Sequence, residues 1–326
     1  MHHTFFARAL LVLVVLGLSH GAPAAEYPNK PIRLIVPYTA GGGVDRVGRI
    51  YMEALSGRLG QNIVFDFRGG GGATIGTYLA TQANPDGYTL LFSLNALVIS
   101  AAIKPNLKYD PLRDLAPVSL MLRSSSVLVA HPTLKVSSVK EVIDLANSSP
   151  KPLTYASQGV GTSAHMAMEL LKHSTGMRIT HIPYTGGGPA SNALLAGEVK
   201  LMILASSFGA PLIKSGRLIP LAVTTSTRLP AFPSVPTFSE AGVPGADKNA
   251  YSGWWGLLAP AGTPKSIIDQ ISRELAQVVK TPKLMTLAEE RGFQSVGSSA
   301  EEFSELLRTD LARWKKVAQD ANITAP

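Results

Sequence analysis

The sequence predicts an α/β protein of two lobes, each a mainly parallel β-sheet flanked by helices. Short apolar runs of strand length alternate with segments whose apolar residues recur at helical spacing, which is the pattern of βαβ units. With 326 residues, the chain is longer than one ordinary core of about 150 residues. Composition agrees, because 45% of the residues are hydrophobic and only 16% are charged, as in a well-packed globular protein.

Residues 1–25 are predicted to be a secretory signal peptide. Arg8 precedes an apolar run that is shorter than the roughly 20 residues that cross a bilayer. Ala-Pro-Ala at 22–24 fits the small-x-small cleavage rule, so we expect a cut after Ala24 or Ala25. The mature chain would then be exported with a net charge near +7, because the whole chain carries +8 and Arg8 is the only formal charge removed. An N-terminal membrane anchor is the alternative.

The first lobe opens with a predicted βαβαβ unit. Apolar runs at 31–38, 61–67 and 88–94 have the length and composition of its three strands. Asp45 is placed to cap the first helix, which should end near the glycines at 57 to 60. Strands joined by such helices run parallel, so we expect helices on both faces of the sheet.

The chain is predicted to cross between the lobes twice, near 123–129 and near 250–256. The resulting boundaries are 26–125 and 252–326 for lobe 1, and 126–251 for lobe 2. Two crossing strands make a hinge, and the cleft beside a hinge is the expected place for a ligand.

Three helices are predicted after the second crossing. Thr263 should cap the first of them, and Pro282 should begin the second. Ser299 and Glu302 have the spacing of a capping box at the start of the third. We expect the apolar face of that last helix to hold Phe303, Leu306, Leu307, Leu311, Trp314 and Val317.

Three glycine-rich turns stand between a predicted strand and a predicted helix. We call "PYTAGGGVD" at 37–45 the first glycine corner, "SQGVGTSAH" at 157–165 the second, and "YTGGGPA" at 184–190 the third. A helix N-terminus presents free N–H groups and about half a positive charge, and glycine lets an anion approach them. Such corners gather at the carboxyl ends of the strands, so we expect them to wall one anion-binding cleft. For any single corner, glycines that only permit a tight turn are the alternative.

The candidate ligand-binding residues follow these corners and the neighbouring strand ends. Lobe 1 contributes Tyr38, Thr39, Ala40, Gly41, Gly42, Gly43, Asp45, Ser93 and Asn95. Lobe 2 contributes Ser157, Gly159, Gly161, Thr162, Ser163, His165, Tyr184, Ser206 and Ser207. Backbone amides and hydroxyls would supply anion affinity, and the other side chains would tune selectivity. For Asp45 a capping role is favoured over ligand contact, since a carboxylate repels an anion; for His165 core and functional roles fit equally well.

Several other functions are excluded by the residues present. The chain has no cysteine, which removes disulfides, thiolate metal sites and a cysteine nucleophile. "GVGTSA" at 159–164 matches a dinucleotide fingerprint, but no acidic residue follows between 170 and 197. Lysines and arginines are scattered, which argues against nucleic-acid binding. No nucleophile, base and orienting residue occur as a set, so we expect no enzyme activity, no metal and no cofactor.

The ordered motifs resemble the Bug-type substrate-binding proteins of tripartite tricarboxylate transporters. The matching stretches are "YPNKPIRLIVPYTAGGGVDRVGR", "PDGYTLL", "YDPLRDLAPVSL", "GVGTSAHMA", "HIPYTGGGPA", "RLIPLAVTTSTRLPAFPSVPTFSEAG", "GWWGLLAPAGTP" and the late "RW", over residues 26–324. The resemblance implies a two-lobed periplasmic-binding-protein fold that closes on a small carboxylate, mono-, di- or aromatic. It implies a ligand carboxylate at Thr39 to Gly43 and a second-lobe contact at Ser157 to His165. It also implies a monomeric periplasmic receptor with two integral membrane subunits as partners.

The chain departs from the family pattern at a few positions. Phe67 and Gly70 stand where an asparagine and a proline are usual, and Ala193 stands where an aspartate is common. A polar or acidic residue often follows the next strand, and Ser206 or Ser207 stands there in this chain; the loss of an acid favours a plain carboxylic acid over an amino acid as ligand. Two further functions stay open at this point: an exported α/β enzyme acting on a carboxylate, and a ligand sensor without a transport partner.

Overall fold

A computed structural model describes residues 27–246 and 250–325 of the chain. The predicted signal peptide therefore lies outside the described residues. Within them, helices flank two separate β-sheets, and no helix is both long and apolar enough to span a membrane. The predicted α/β class is confirmed.

The elements alternate along most of the chain. The strands are β1 (Ile32–Val36), β2 (Ile63–Phe67), β3 (Thr89–Leu94), β4 (Leu115–Ser124), β5 (Ser126–Ala130), β6 (Leu153–Ser157), β7 (Ile179–Pro183), β8 (Leu201–Ala205), β9 (Ile219–Val223), β10 (Trp254–Pro260) and β11 (Phe293–Ser295). The α-helices are α1 (Gly43–Leu59), α2 (Thr74–Thr81), α3 (Ala96–Ile103), α4 (Val139–Ser148), α5 (Ser163–Thr175), α6 (Gly187–Leu195), α7 (Ser206–Lys214), α8 (Lys265–Val279), α9 (Pro282–Glu290) and α10 (Ala300–Asp320).

The sheet of lobe 1 has the strand order β11-β4-β10-β3-β1-β2. The predicted βαβαβ opening is its parallel half, in which β1 lies between β2 and β3. The other half is antiparallel, because β10 runs against both β3 and β4, and β11 runs against β4. The sheet is thus mixed rather than mainly parallel, since the strands that leave for lobe 2 and return from it run in opposite directions.

The sheet of lobe 2 has the order β7-β6-β8-β5-β9. Strand β6 pairs in parallel with β7 and β8, whereas β5 runs against β8 and β9. This sheet is mixed for the same reason, because β5 enters from the other lobe.

In each sheet, the carboxyl ends of the parallel strands face the region between the lobes. In lobe 1 the start of β10 lies beside the end of β3, with Trp255 opposite Leu94. In lobe 2 the start of β5 lies beside the end of β8, with Ser126 opposite Ala205. A single residue, Ser125, separates β4 from β5. The chain therefore directly connects the two sheet ends at which the glycine corners lie.

Apolar clusters fill both lobes, and one of them includes a residue from across the seam. Helices α3 and α10 pack together on lobe 1, and Trp254 and Phe303 lie in the cluster between them. Met166 of α5 is fully buried in this same cluster, although α5 belongs to lobe 2. Helix α10 also packs against α5. The lobes are consequently in apolar contact beside the crossings.

The predicted helix starts have different outcomes. The capping box at α10 is confirmed, with the Ser299 hydroxyl accepting from the Glu302 N–H and the Glu302 carboxylate accepting from the Ser299 N–H. Pro282 begins α9 as predicted. The predicted cap at Thr263 is wrong, because its hydroxyl donates to the Pro260 carbonyl instead.

Candidate ligand site

A cavity of about 270 Å³ lies at the seam between the two lobes. Residues from both sheets line it, together with the segments that cross between them: Ser124, Ser125, Ser126, Gln158, Thr162, Ser163, Ala164, Ala167, Ile203, Ala205, Tyr251, Gly253, Trp255, Arg291, Gly292 and Phe293. We call it the interlobe cavity. Arg291 is the one charged residue among these lining residues, and no carboxylate is present to oppose an anion.

A larger apolar cavity lies within lobe 1. Its volume is about 410 Å³, and its walls come from α2 and from residues 104–109. It contains no residue of the glycine corners, so it is not the site to which the sequence pattern points.

The second glycine corner brings Thr162 and Ser163 into the wall of the interlobe cavity. Thr162 is the N-cap of α5, and its hydroxyl donates to the Gly159 carbonyl at 2.8 Å. The Ser163 hydroxyl donates to the Asn95 side-chain oxygen in lobe 1 at 2.9 Å. The second corner and the N-terminus of α3 therefore meet across the seam, whereas the first glycine corner, which was expected to face the second, does not line this cavity.

The rest of the second corner is held by internal hydrogen bonds. The fully buried Ser157 hydroxyl lies 2.6 Å from the His181 Nε2 atom and 3.0 Å from the Gly159 carbonyl. The Gly161 N–H donates to the His165 Nδ1 atom at 3.1 Å. Gly159 and Gly161 both have positive φ, of 135° and 75°, so these two glycines are needed for the shape of the turn.

A stack of rings supports this corner from inside lobe 2. The rings of His165 and His181 lie 3.9 Å apart between centroids, and Tyr155 stacks on His181 at 4.8 Å. Burial lowers the pKa of His165 to about 4, and it also lowers the pKa of His181. His165 is therefore neutral at pH 7 and can accept the Gly161 hydrogen bond.

The buried Glu169 carboxylate binds the other end of this ring stack, at Tyr155. It accepts a 2.6 Å bond from the Tyr155 hydroxyl and lies 3.2 Å from the Lys172 ammonium. Burial and the neighbouring Glu169 charge raise the pKa of Tyr155, so the phenol stays protonated as the donor. These contacts satisfy the carboxylate without a ligand.

The first glycine corner lies at the carboxyl end of β1, and Thr39, Ala40, Gly41 and Gly43 in it are exposed. Helix α1 begins at Gly43, two residues before the predicted cap, so Asp45 lies in its first turn. The Asp45 carboxylate accepts from the Gly41 N–H at 2.7 Å and pairs with Arg49. Asp45 therefore binds the loop that precedes the helix. In doing so it occupies the Gly41 N–H group, which the sequence analysis had assigned to a ligand. Thr39, Ala40, Gly42 and Gly43 complete this corner, and none of the described residues 38–45 lines the interlobe cavity.

Tyr38 and Ser93 lie near the first corner, and the buried hydroxyl oxygens of both have no hydrogen-bond partner within the described residues. Burial raises the pKa of Tyr38, while the Ser93 hydroxyl and the Leu94 backbone act in the opposite sense. Ser93 is fully buried on β3. Neither side chain lines the interlobe cavity.

The remaining candidates lie at the rim of the cavity or behind it. The Ser207 hydroxyl donates to the Arg291 carbonyl at 3.3 Å, and Ser206 is buried beside Gly292. The Tyr184 N–H donates to the Ser157 carbonyl, which joins the third corner to the second. The position after β8 thus faces lobe 1 backbone rather than the middle of the cavity.

Sequence reasoning missed several lining residues, among them Ser125 and Arg291. A signal for Ser125 existed, because three consecutive serines at 124–126 stand where the chain was predicted to leave lobe 1. Arg291 carried no comparable signal, since a basic residue after a helix is common.

The two lobes, the paired crossings and the polar cavity at their seam define the class of solute-binding proteins. Within that class the chain belongs to the family described as "Tripartite tricarboxylate transporter family receptor", whose model matches residues 47–323. The resemblance noted in the sequence is confirmed by this match.

Relatives and solved structures of the family cover nearly the whole chain. Protein BugT of Bordetella pertussis is 32% identical over 95% of this chain and 95% of that protein. An R. palustris protein solved with adipate is 32% identical, with a TM-score of 0.74 over 92% of this chain and 99% of that one. MatC of Rhodopseudomonas palustris, solved with bound malate, is 27% identical, with a TM-score of 0.70 over 89% of this chain and 99% of that one. The two-lobed fold is confirmed by these likenesses.

Proposed function

We propose that this chain is a periplasmic receptor that captures a small organic carboxylate in the interlobe cavity and delivers it to a tripartite tricarboxylate transporter. The observation that carries the proposal is the lining of the cavity, which joins hydroxyl and amide donors from both lobes to one arginine and no acid. Family membership supports it, as do relatives solved with adipate and with malate.

The binding mode follows from the donors at the seam. Backbone N–H groups at the N-terminus of α5 hold one carboxylate of the ligand, because the Thr162 and Ser163 hydroxyls already donate to Gly159 and Asn95. Hydrogen bonds to a charged group are worth about 1.5–3 kcal/mol each, so two to four of them reach micromolar affinity once closure is included.

The cellular setting belongs to the same proposal. The signal peptide is removed after Ala24 or Ala25, and the mature chain works in the periplasm as a monomer. Two integral membrane subunits receive the ligand. Residues 26–125 with 252–326, and residues 126–251, move as the two bodies of the receptor.

A thermal-shift screen tests the function directly. Mono-, di- and tricarboxylates, aromatic acids, amino acids and neutral sugars are added to the mature protein at saturating concentration. A true ligand at 100 times its Kd stabilises the folded state by about 2.7 kcal/mol. Stabilisation by plain carboxylates is expected. Stabilisation only by amino acids would refute the interpretation of Ser206 and Ser207, and stabilisation only by neutral compounds would refute the proposal.

Enzyme activity is the second candidate, and the proposal excludes it. The Ser157 and His181 pair has the spacing of a nucleophile and base, but Ser157 is fully buried and already bonded to Gly159. Incubation with any carboxylate found in the screen should give no product by mass spectrometry. Turnover that depends on pH and is lost in His165→Ala would favour an enzyme instead.

A sensor without a transport partner is separated from a receptor by its partners. The mature protein, crosslinked in its native periplasm with and without ligand, should capture integral membrane subunits of a transporter. Capture of a membrane kinase or chemoreceptor in their place would favour the sensor.

A further inference from the structure

The apolar cavity of lobe 1 lies apart from the ligand site, and part of its wall is exposed. Its volume is about 410 Å³, and we call it the α2 pocket. Ile75 and Leu79, four residues apart on one face of α2, both line it and are 53% and 39% exposed. Pro105 and Leu107, in the loop after α3, line it as well. Exposed apolar side chains that gather in a concavity mark an interaction site.

The charged side chains of the α2 pocket are both cationic. They belong to Lys104 and Lys108, and no acidic side chain is among the described lining residues. Lys108 is exposed, and its ammonium lies 6.0 Å from the centroid of the Tyr78 ring in the same lining. Asp110, the next acid along the chain, accepts from the Leu112 N–H at 2.8 Å. By charge complementarity, the pocket therefore fits an apolar group that has a carboxylate beside it.

The exposure of the wall favours a protein over a small molecule as the occupant. A pocket for a small ligand commonly buries about 70–90% of the ligand surface. Ile75 is more than half exposed, so a small ligand held against it would leave much of its own surface in water. A protein that inserts one apolar side chain and covers the surrounding rim would bury both surfaces.

The charge of the receptor argues against a second copy of the same chain. The whole chain carries +8 and the mature chain near +7, because Arg8 is removed. A two-fold dimer on this surface would bring the lysines of both copies together. A bilayer surface would meet the lysines but would leave the concavity unfilled. An acidic protein segment satisfies both the charge and the shape.

Helix α3 connects the α2 pocket to the seam between the lobes. At the start of this helix, the Asn95 side chain accepts from the Ser163 hydroxyl of lobe 2 at 2.9 Å. At its end, the Ile103 Cδ1 atom lies 2.5 Å from the place that a Cβ atom on Gly161 would take. The Ile103 carbonyl also accepts from the N–H of Ala325, which lines the pocket. A partner in the pocket would therefore contact segments whose positions depend on the arrangement of the lobes.

We propose that the α2 pocket is the docking surface for a periplasmic segment of one transporter membrane subunit, a segment that inserts an apolar side chain flanked by a carboxylate. The proposal rests on the proposed function, because it locates the surface at which the loaded receptor meets its partner. Contact beside α3 lets the subunit distinguish the closed arrangement of the lobes from an open one.

Binding of the receptor to its membrane subunits tests this surface. The subunits identified by the crosslinking above are placed in nanodiscs, and the mature receptor carries its tag at the N-terminus because Ala325 lines the pocket. Leu79→Ser removes an apolar contact, and Lys108→Glu reverses a charge. We expect each to weaken binding roughly 10-fold or more, Leu79→Ser through faster dissociation and Lys108→Glu through slower association that depends less on salt.

Two substitutions on α9 are the matched controls. Met285 is 43% exposed and Lys283 is exposed, and neither lines the α2 pocket. Met285→Ser and Lys283→Glu should bind the subunits as the wild type does. Every variant is first checked for its melting temperature and for the thermal shift given by the carboxylate found in the screen, which should both match the wild type. Lys108→Glu decides the outcome if Leu79→Ser does not fold.

The possible results distinguish the two proposals. If no carboxylate binds, or if the receptor captures no transporter subunit, the proposed function fails. If the wild type binds the subunits and both pocket variants bind equally well, or if the α9 controls lose as much, the docking surface fails and the function stands. Binding to phosphatidylglycerol vesicles without subunits, lost in Lys108→Glu, would assign the pocket to the membrane and overturn the proposal. A receptor dimer that Leu79→Ser dissociates would also overturn it.

Discussion

His165 acts as a hydrogen-bond acceptor that holds the second glycine corner in shape. Its Nδ1 atom takes the Gly161 N–H, and the ring is buried against His181. Protonation would turn this acceptor into a donor and place a charge in the stack. In the sequence analysis, core and functional roles fitted His165 equally well. The structure shows that it holds the backbone of the second glycine corner through the Gly161 N–H.

Stability should fall as the pH decreases from 7 to 5. Burial lowers the folded-state pKa of His165 to about 4, whereas the unfolded value is near 6.5, so the unfolded chain binds more protons in this window. The contribution is complete above about pH 6.5 and is lost as the pH falls towards 4, with a loss of about 2 kcal/mol by pH 5. Urea unfolding at pH 7, 6 and 5 measures it.

A variant isolates the effect to this ring. His165→Asn keeps a side-chain oxygen acceptor without a titrating group, so its free energy of unfolding should change less between pH 7 and 5. His131→Asn, outside the stack, is the matched control. An unchanged slope in His165→Asn would show that His165 is not the titrating group.

Helix α10 and strand β10 depend on one glycine for their contact. A Cβ atom on Gly256 would lie 2.3 Å from the Phe303 ring, so a side chain at this position and the ring cannot both keep their places. Phe303 is fully buried, and Trp254 of the same strand meets it edge-on at 5.1 Å. The Trp254 ring N–H also donates to the Asp310 carboxylate at 2.8 Å, which pins the crossing strand to α10.

Gly256→Ala should therefore destabilise the protein by about 1–3 kcal/mol, the usual range for overpacking a core. Gly256→Ala with Phe303→Leu should recover part of the loss, because the ring is removed. Gly57→Ala is the control of opposite sign: this exposed glycine in α1 has open space around its Cβ position, and alanine there should stabilise by about 0.5–1 kcal/mol. Chemical denaturation compares these three variants with the wild type, and an unaffected Gly256→Ala would contradict the packing argument.

For helices and strands, the sequence predicted those features that depend only on neighbouring residues. The βαβαβ opening, the capping box at Ser299 and the end of α1 at Gly60 follow from periodicity and terminal residues. Helix α3 was missed because "ALVISAAI" is apolar on all sides and has no face to reveal its period. Strand β11 was missed because three residues are too few for a pattern, and its existence depends on pairing with β4.

The candidate site was predictable only in part for a related reason. Glycine corners are visible in sequence because positive φ requires glycine, as at Gly159 and Gly161. Which N–H groups of a corner stay free depends on tertiary contacts. Asp45 and His165 each accept a hydrogen bond from a backbone N–H that the sequence analysis had assigned to a ligand. Arg291 enters the cavity wall only because α9 ends beside the crossings.

Across the whole molecule, the seam between the lobes is narrow at the second corner. A Cβ atom on Gly161 would lie 2.5 Å from the Ile103 Cδ1 atom of α3, and Ser163 bonds Asn95 beside it. Met166 buries its side chain in the cluster of lobe 1. The arrangement of the lobes is thus sensitive to bulk at this one turn.

Gly161→Leu should wedge the lobes apart and weaken ligand binding roughly 5- to 30-fold, which corresponds to about 1–2 kcal/mol against the closed state. Small-angle scattering of the unliganded variant should show a larger radius of gyration than the wild type. Gly159→Leu also places a side chain at a positive φ, of 135°, but it has no lobe 1 atom near its Cβ position, so it should leave the radius unchanged. Equal effects of both variants would indicate backbone strain alone.

The floor of the interlobe cavity is made by the crossing segments themselves, through Ser125 between β4 and β5 and through Gly253 before β10. A bound molecule would rest on the part of the chain that must bend for it to escape. The residence time of the ligand should therefore depend on the stiffness of the hinge. A substitution that stiffens a crossing segment should slow both binding and release, even when it makes no contact with the ligand.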